Sequence, residues 1–235
     1  MQAFVFSPDE KNLLIGDSAG NLQVWDASTG RSVDTPLAYG RPITAMAASS
    51  NLLAIGMENE LHILDVNTLE ELVQPESHGD HELLVFSPDG SRLASSNSTG
   101  QIHIWNQENG NFTEPKIFTK AAAFSMAFNP ANNLLAIGSV DNVYLINPST
   151  LEEFARIPHT GSVSSVAFSV DGTTLLTASL KVLQFWDLAK IQEIKKATIV
   201  ETACQHLIEN LSGDLWNTLF ETERYRTLCV NLKIP

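Results

Sequence analysis

The segment Leu22-Gln23-Val24-Trp25-Asp26 returns along the chain as Leu61-His62-Ile63-Leu64-Asp65, Ile102-His103-Ile104-Trp105-Asn106, Val143-Tyr144-Leu145-Ile146-Asn147 and Leu183-Gln184-Phe185-Trp186-Asp187. Each copy is an alternating stretch that closes on a large apolar anchor followed by Asp or Asn. The anchors Trp25, Leu64, Trp105, Ile146 and Trp186 lie 39, 41, 41 and 40 residues apart. A fixed period of this size marks a tandem array of one small structural unit, and alternation marks that unit's strands as half-buried.

Outward from each anchor the same parts recur. An upstream apolar cluster lies at Leu13-Leu14-Ile15, Leu52-Leu53-Ala54-Ile55, Leu93-Ala94, Leu134-Leu135-Ala136-Ile137 and Leu175-Leu176. Before it, Phe6-Ser7-Pro8-Asp9, Phe86-Ser87-Pro88-Asp89-Gly90, Phe128-Asn129-Pro130 and Phe168-Ser169-Val170-Asp171-Gly172 set a strand end beside residues suited to tight turns. Each repeat reads as three short antiparallel strands with a weaker fourth, as at 31–37 or 152–157. No helical pattern interrupts them, so the expectation is an all-β array. A sheet this small has two apolar faces to cover, and sheets stacked face to face around an axis cover them. The repeats are placed at about 2–40, 41–79, 80–120, 121–161 and 162–197, filling 1–197.

The phrases Phe86-Ser87-Pro88-Asp89-Gly90, Trp25-Asp26, Trp186-Asp187, and His159-Thr160-Gly161-Ser162-Val163 leading to Val166-Ala167-Phe168-Ser169 resemble WD40 repeats over about residues 2–194. The resemblance implies β-propeller blades. In that family a His, a Ser or Thr, an Asp in the second hairpin turn and the Trp form a hydrogen-bonded set within a blade. His159 and Trp186 match it, but the turn Ser179-Leu180-Lys181 is short and lacks the Asp. Ala19 and Thr99 stand near the Asp position in repeats one and three, and Leu64 and Ile146 replace Trp in repeats two and four. With no complete set, the blades are expected to be held chiefly by apolar packing, at roughly 25 cal/mol per Å², and by backbone ladders, with Trp105 and Trp186 as core anchors.

After Asp187 the period stops. Val200, Ala203, Cys204, Leu207 and Leu211 recur at helical spacing, and Ser212 stands where it would cap a second helix carrying Leu215, Trp216, Leu219 and Phe220. A short α-helical tail is therefore expected over 198–235, with Cys204 and Cys229 near each other as buried thiols. Ala203-Cys204, Asn210-Leu211, Trp216, Tyr225-Arg226, Cys229 and Asn231-Leu232 are similar to a tail that follows the last repeat in multidomain bacterial WD40 proteins. That similarity implies the C-terminal recognition part of a larger signalling or scaffold protein, with further domains or blades upstream.

Composition narrows the function. Of 235 residues 43% are hydrophobic and 17% charged, which suits a folded core. Fourteen Lys and Arg against 27 Asp and Glu give a net charge of −13, opposing a phosphate backbone, so no nucleic-acid partner is expected. Lys195-Lys196 reads as solvated surface. The longest apolar runs, such as 52–55 and 134–137, are too short to span a bilayer, which needs about 20 residues. No membrane partner is expected, and without a visible secretory signal the location reads as cytoplasmic.

His78, Asp80, His81 and Glu82 are possible metal ligands, but their place in a polar loop argues for a loop role over a metal site. His62 and His103 occupy polar positions of alternating strands and read as satisfied or exposed histidines. No nucleophile elbow, phosphate loop or dinucleotide fingerprint is present. No catalytic, cofactor-binding or metal residue is assigned and no cofactor is expected. The expected function is a non-catalytic scaffold or sensor module binding protein or peptide partners. Its alternative is a propeller enzyme with groups converging near the central axis. Five repeats fall short of the seven usual in WD40 propellers, so an open arc is expected, or a ring completed by upstream blades, another chain or the tail.

Overall fold

The computed structural model describes residues 3–33, 37–75, 79–113, 115–119, 122–180 and 182–191. Within them lie five antiparallel sheets, each one blade. Blade one holds β1 (Ala3–Phe6), β2 (Asn12–Gly16), β3 (Asn21–Asp26), β4 (Arg31–Ser32) and β5 (Leu37–Ala38). Blade two holds β6 (Ala45–Ala48), β7 (Leu52–Met57), β8 (Glu60–Asp65) and β9 (Glu71–Val73). Blade three holds β10 (Leu83–Phe86), β11 (Arg92–Ser96), β12 (Ile102–Glu108), β13 (Asn111–Phe112) and β14 (Lys116–Phe118). Blade four holds β15 (Ser125–Phe128), β16 (Leu135–Gly138), β17 (Asn142–Ile146) and β18 (Glu153–Pro158), and blade five β19 (Val163–Phe168), β20 (Thr174–Ser179) and β21 (Leu183–Asp187). In blades one and three the weak fourth strand is split in two, both parts pairing with the third strand. The expected helical tail, with Cys204 and Cys229, lies outside the described residues; a single helical turn at 188–191 follows β21.

The turns explain why the strands stop where they do. After the first strand of blades one, three and five, the Ser7, Ser87 and Ser169 hydroxyls donate to Asp9, Asp89 and Asp171 at 2.6, 2.5 and 2.6 Å. The same hydroxyls accept the amides of Asn12, Arg92 and Thr174, where the second strand begins. After the anchors of blades one, two, four and five an Asx residue closes the next turn: Asp26 accepts the amides of Ser28 and Thr29, Asp65 those of Asn67 and Thr68, Asn147 that of Ser149 and Asp187 those of Ala189 and Lys190. Short polar side chains thus satisfy backbone groups that the ladders leave open.

Register places four of the anchors opposite a leucine: Leu13 faces Trp25, Leu53 faces Leu64, Leu93 faces Trp105 and Leu135 faces Ile146. Because strand side chains alternate, every anchor sits on the sheet face turned towards the preceding blade. The opposite face carries the residues one and three places before the anchor. One core cluster joins Leu14 and Leu22 of blade one to Met46, Leu53, Ile55 and Leu64 of blade two. A second joins Ala54, Leu61 and Ile63 to Phe86, Leu93 and Trp105. A third joins Ala94, Ile102 and Ile104 to Phe128, Leu135, Ile137 and Ile146. The first strands touch in the order β1, β6, β10, β15, β19.

Packing is close where the second strand ends. A Cβ on Gly16 would lie 2.5 Å from Ile43, one on Gly56 2.6 Å from His81, and one on Gly138 2.9 Å from the Val163 carbonyl. In each case the neighbour leads into the next blade, so the absent side chain sets the blade spacing.

Blade five adds a polar tie. His159 Nε2 lies 2.9 Å from Thr177 Oγ1, and the Trp186 indole N–H donates to the same hydroxyl at 3.0 Å. Three members of the hydrogen-bonded set thus form without the turn Asp, in addition to the packing and ladders expected to hold the blades. Trp186 is half-buried, whereas Trp105 is fully buried.

Among the described residues no further blade lies against the outer faces of blades one and five. Phe4 and Phe6, on the anchor face of blade one, are 57% and 51% exposed, whereas Phe86 and Phe128, equivalent to Phe6, are 7% and 6% exposed. On the far face of blade five Leu183 and Phe185 are 60% and 71% exposed. Among the described residues β1 and β19 make no contact comparable to those between successive first strands. Among the described residues the five sheets therefore form a stack in which blades one and five are not packed on each other.

Trp105→Ala should destabilise the protein by about 3–5 kcal/mol, the range for truncating a buried aromatic. Trp25→Ala, at the equivalent but uncovered position, should cost clearly less. Urea midpoints of the two variants check this; equal losses would place both rings in equivalent cores.

Candidate functional site

Antiparallel order dictates which loops meet. The loop leading into each first strand and the turn joining the second and third strands lie at one end of a blade; the other two turns lie at the opposite end. Between blades two and three that first end forms a cleft of about 480 Å³ lined by Pro42, Thr44, Glu58, Asn59, Gly79, Asp80 and Ser98.

Three elements hold its walls. Asn59, in the β7–β8 turn, has a φ of 58°, a conformation that Asn accepts more readily than most residues. From there its amide donates to the Gly79 carbonyl at 2.8 Å, and its Oδ1 accepts the Gly79 amide at 2.8 Å. The Thr44 hydroxyl lies 2.6 Å from the His81 carbonyl and 3.1 Å from that of Gly56. From blade three, the Ser98 hydroxyl donates to Asp80 Oδ1 at 3.1 Å. The connection from blade two to blade three is thus tied to the turns of both blades.

The electrostatics are acidic. Burial opposes ionisation of Asp80, but hydrogen bonds from Ser98 and the nearby His81 outweigh it and leave its pKa below the ordinary carboxylate value. Asp80 is therefore charged at neutral pH, and Glu58 adds a second carboxylate to the lining. Arg41 pairs with Glu60 at 3.3 Å, in an exposed bridge of a kind worth little by itself. Such walls offer acceptors and negative charge to a cationic or hydrogen-bond-donating side chain.

The other lowered carboxylates have local explanations. Asp26 and Asp89 are held down to about 2, first by the hydroxyls of Ser28 and Ser87 respectively. Asp9 and Asp171 owe their lowering first to Ser7 and Ser169, and Asp65 to the Thr68 amide. Asp17 is held by Asn21 inside its own turn. These groups close turns, Asp89 also accepting from Asn133 of blade four, whereas Asp80 ties the connection between blades two and three to the Ser98 turn.

The residues singled out in the sequence disperse. His81 turns inward, its ring 6.1 Å from that of Trp105, while Asp80 turns to Ser98 and Glu82 is exposed. His78 lies outside the described residues. Among the described residues no group of three His, Cys, Asp or Glu side chains could hold a metal ion. His62 is buried with Nδ1 2.7 Å from Glu71 Oε1, and its ring is 5.0 Å from that of Tyr39. Burial, aided by Glu71, raises the Tyr39 pKa to about 12. His103 is also buried, edge-on to Trp105 at 5.7 Å. Sequence reasoning missed Thr44, Glu58, Asn59 and Ser98; strand order was the signal that could have brought their loops together.

The WD40 family model (WD domain, G-beta repeat) matches residues 82–106 and 152–187. The periodic tryptophan protein 2 homolog of Dictyostelium discoideum is 24% identical over 191 residues, 77% of this chain and 21% of that protein. Protein groucho of Drosophila melanogaster is 25% identical over 172 residues, 70% of this chain and 23% of its own length. The chain thus spans less than a quarter of either relative. The β-propeller domain of Myceliophteria thermophila Cps50 (Swd1) superposes with a TM-score of 0.67 at 13% identity, over 79% of this chain and 64% of that one.

His81 supplies a pH test. Burial, and then the neighbouring His103, push its pKa from 6.5 to about 4, with Asp80 partly opposing. The unfolded chain therefore takes up this proton near pH 6.5 and the folded chain only near pH 4. Stability is complete above 6.5 and falls as pH drops between these values, by at most about 3 kcal/mol. Denaturation midpoints should show His81→Gln losing less stability than the parent chain across that window; parallel losses would contradict the assignment.

Proposed function

With WD40 repeats stacked as propeller blades as the premise, we propose that this chain is a non-catalytic protein-interaction module. In this reading the cleft between blades two and three receives a Lys or Arg side chain of a peptide or protein partner. The observation that carries it is the tied connection at Gly79–His81, which presents Asp80 and Glu58 in a cleft of about 480 Å³. A preorganised wall lowers the ordering cost of binding, and charge at its rim guides a cationic partner.

The net charge of −13 supports a protein over a nucleic-acid partner, and no helix among the described residues is long and apolar enough to cross a membrane. We place the module in the cytoplasm, as the recognition part of a longer signalling or scaffold protein. The tail motifs around Cys204, Trp216 and Cys229 support that placement.

Binding of a positional-scanning peptide library, read by fluorescence polarisation, tests the reading. Peptides with Lys or Arg at one fixed position should be selected. Asp80→Asn with Glu58→Gln should weaken them about tenfold, equivalent to about 1.4 kcal/mol, and added salt should weaken them further. Selection indifferent to charge, or unchanged affinity in the double variant, would defeat the proposal.

A further inference from the structure

At the end of the blades opposite the Asp80 cleft, the molecule shows how one blade seats a guanidinium against the next. Arg92 opens the second strand of blade three, paired in register with Asn106. Its Nε–H donates to Asn106 Oδ1 at 3.1 Å within its own blade, and its Nη2 donates to the Ser149 hydroxyl of blade four at 2.9 Å. A guanidinium suits this place because its planar fork sends donors to two walls at once. Beside it Asn133 of blade four lies 3.4 Å from Asp89 Oδ2, so that oxygen of the first-turn Asp faces the following blade. Aligning the anchors gives Asn12, Leu52 and Leu134 as the counterparts of Arg92 in blades one, two and four.

Blades one and two lack that bridge. Asn12 stands in place of Arg92, and Asn67 where blade four has Ser149. Among the described residues no side-chain hydrogen bond joins Asn12 to Asn67 or Thr68. Where the arginine crosses from blade three to blade four, a pocket of about 200 Å³ is left between blades one and two. Asp9 and Asn12 line it from blade one, Asn67 and Thr68 from blade two, together with the buried Leu14 and Val66. Asp9 is the counterpart of Asp89 and accepts the Ser7 hydroxyl through Oδ1 in the same way. Its Oδ2 lies 3.2 Å from Lys11 Nζ, in an exposed bridge of a kind that is readily exchanged for a better-placed cation.

We propose that this pocket receives an arginine side chain of a peptide or protein partner, in the place that Arg92 takes from within the chain between blades three and four. The Asp9 carboxylate supplies the opposite charge, and Asn12, Asn67 and Thr68 supply acceptors on both walls. Leu14 and Val66 cover the aliphatic stem. Lysine suits the pocket less, because an ammonium is a point charge and does not present a planar fork to two walls. The net charge of −13 draws a cationic segment towards the surface. This pocket shares no residue with the Asp80 cleft, so the two readings stand or fall separately.

Amide chemical shifts of the full 235-residue chain, followed by NMR as N-acetyl-arginine amide or N-acetyl-lysine amide is added to about 20 mM, test this. The arginine probe should shift the amides of Asn12, Asn67 and Thr68 along a saturating curve, and the lysine probe should bind there about fivefold more weakly. Asn12→Arg supplies the guanidinium from within, beside Asp26, which pairs with position 12 as Asn106 pairs with Arg92. That variant should raise the urea midpoint and abolish the probe's shifts at Asn67 and Thr68. Asp9→Asn keeps an oxygen for the Ser7 hydroxyl and, with circular dichroism unchanged, should weaken the arginine probe about fivefold. Asp80→Asn with Glu58→Gln should leave these shifts as in the parent chain. No saturable shift at Asn67 and Thr68, equal binding of the two probes, an Asn12→Arg chain that still binds the probe there, or unchanged affinity in Asp9→Asn would each overturn the proposal.

Discussion

A blade in this chain is a sheet with two apolar faces, and neither can stay dry unless another blade lies against it. The rest of the structure follows from that constraint. It sets the identity of the anchor and its facing leucine, as in Leu93 opposite Trp105. It sets the glycines where the second strand ends, because a Cβ at Gly56 would meet His81 at 2.6 Å and hold the blades apart. It also makes stability a property of neighbours, as expected of quasi-one-dimensional repeat arrays. Blade three, covered on both sides, buries Trp105 completely.

Polar groups work at the margins of this packing. The Ser-Asp pairs of the first turns and the Asx residues after the anchors close hairpins, and account for most of the lowered carboxylates. The His159–Thr177–Trp186 relay ties blade five where its packing is one-sided. At the loop end, Thr44, Asn59 and Ser98 hold the connection between blades two and three and leave a cleft bearing the charge of Asp80. The candidate binding surface is thus a consequence of blade packing: two rigid sheets fix two turns, and the turns fix the loop.

Much of the fold was legible in the amino-acid order because the period and the alternation of apolar residues are local signals. The anchors, the facing clusters and the Ser-x-Asp turns could all be read from spacing. What could not be read depends on residues distant in sequence. Thr177 is unremarkable in its strand until His159 and Trp186 converge on it. His62 and His103 occupy polar positions of their strands yet are buried, because the adjoining blades cover the face on which they lie. Trp25 and Trp105 have equivalent local contexts and unequal burial. The cleft escaped notice because Thr44, Glu58, Asn59 and Ser98 form no motif; strand order alone assembles them.

The central claim is that covered faces hold these blades, so protection should follow position in the stack. Native-state hydrogen exchange, resolved by strand at protein concentrations where one chain sediments alone, measures this directly. The amides of β7, β11 and β16, whose blades have neighbours on both sides, should open with the highest free energies. Those of β2 and β20, in the end blades, should open first. Uniform protection across all five sheets, or slowest exchange in blade one, would contradict the account.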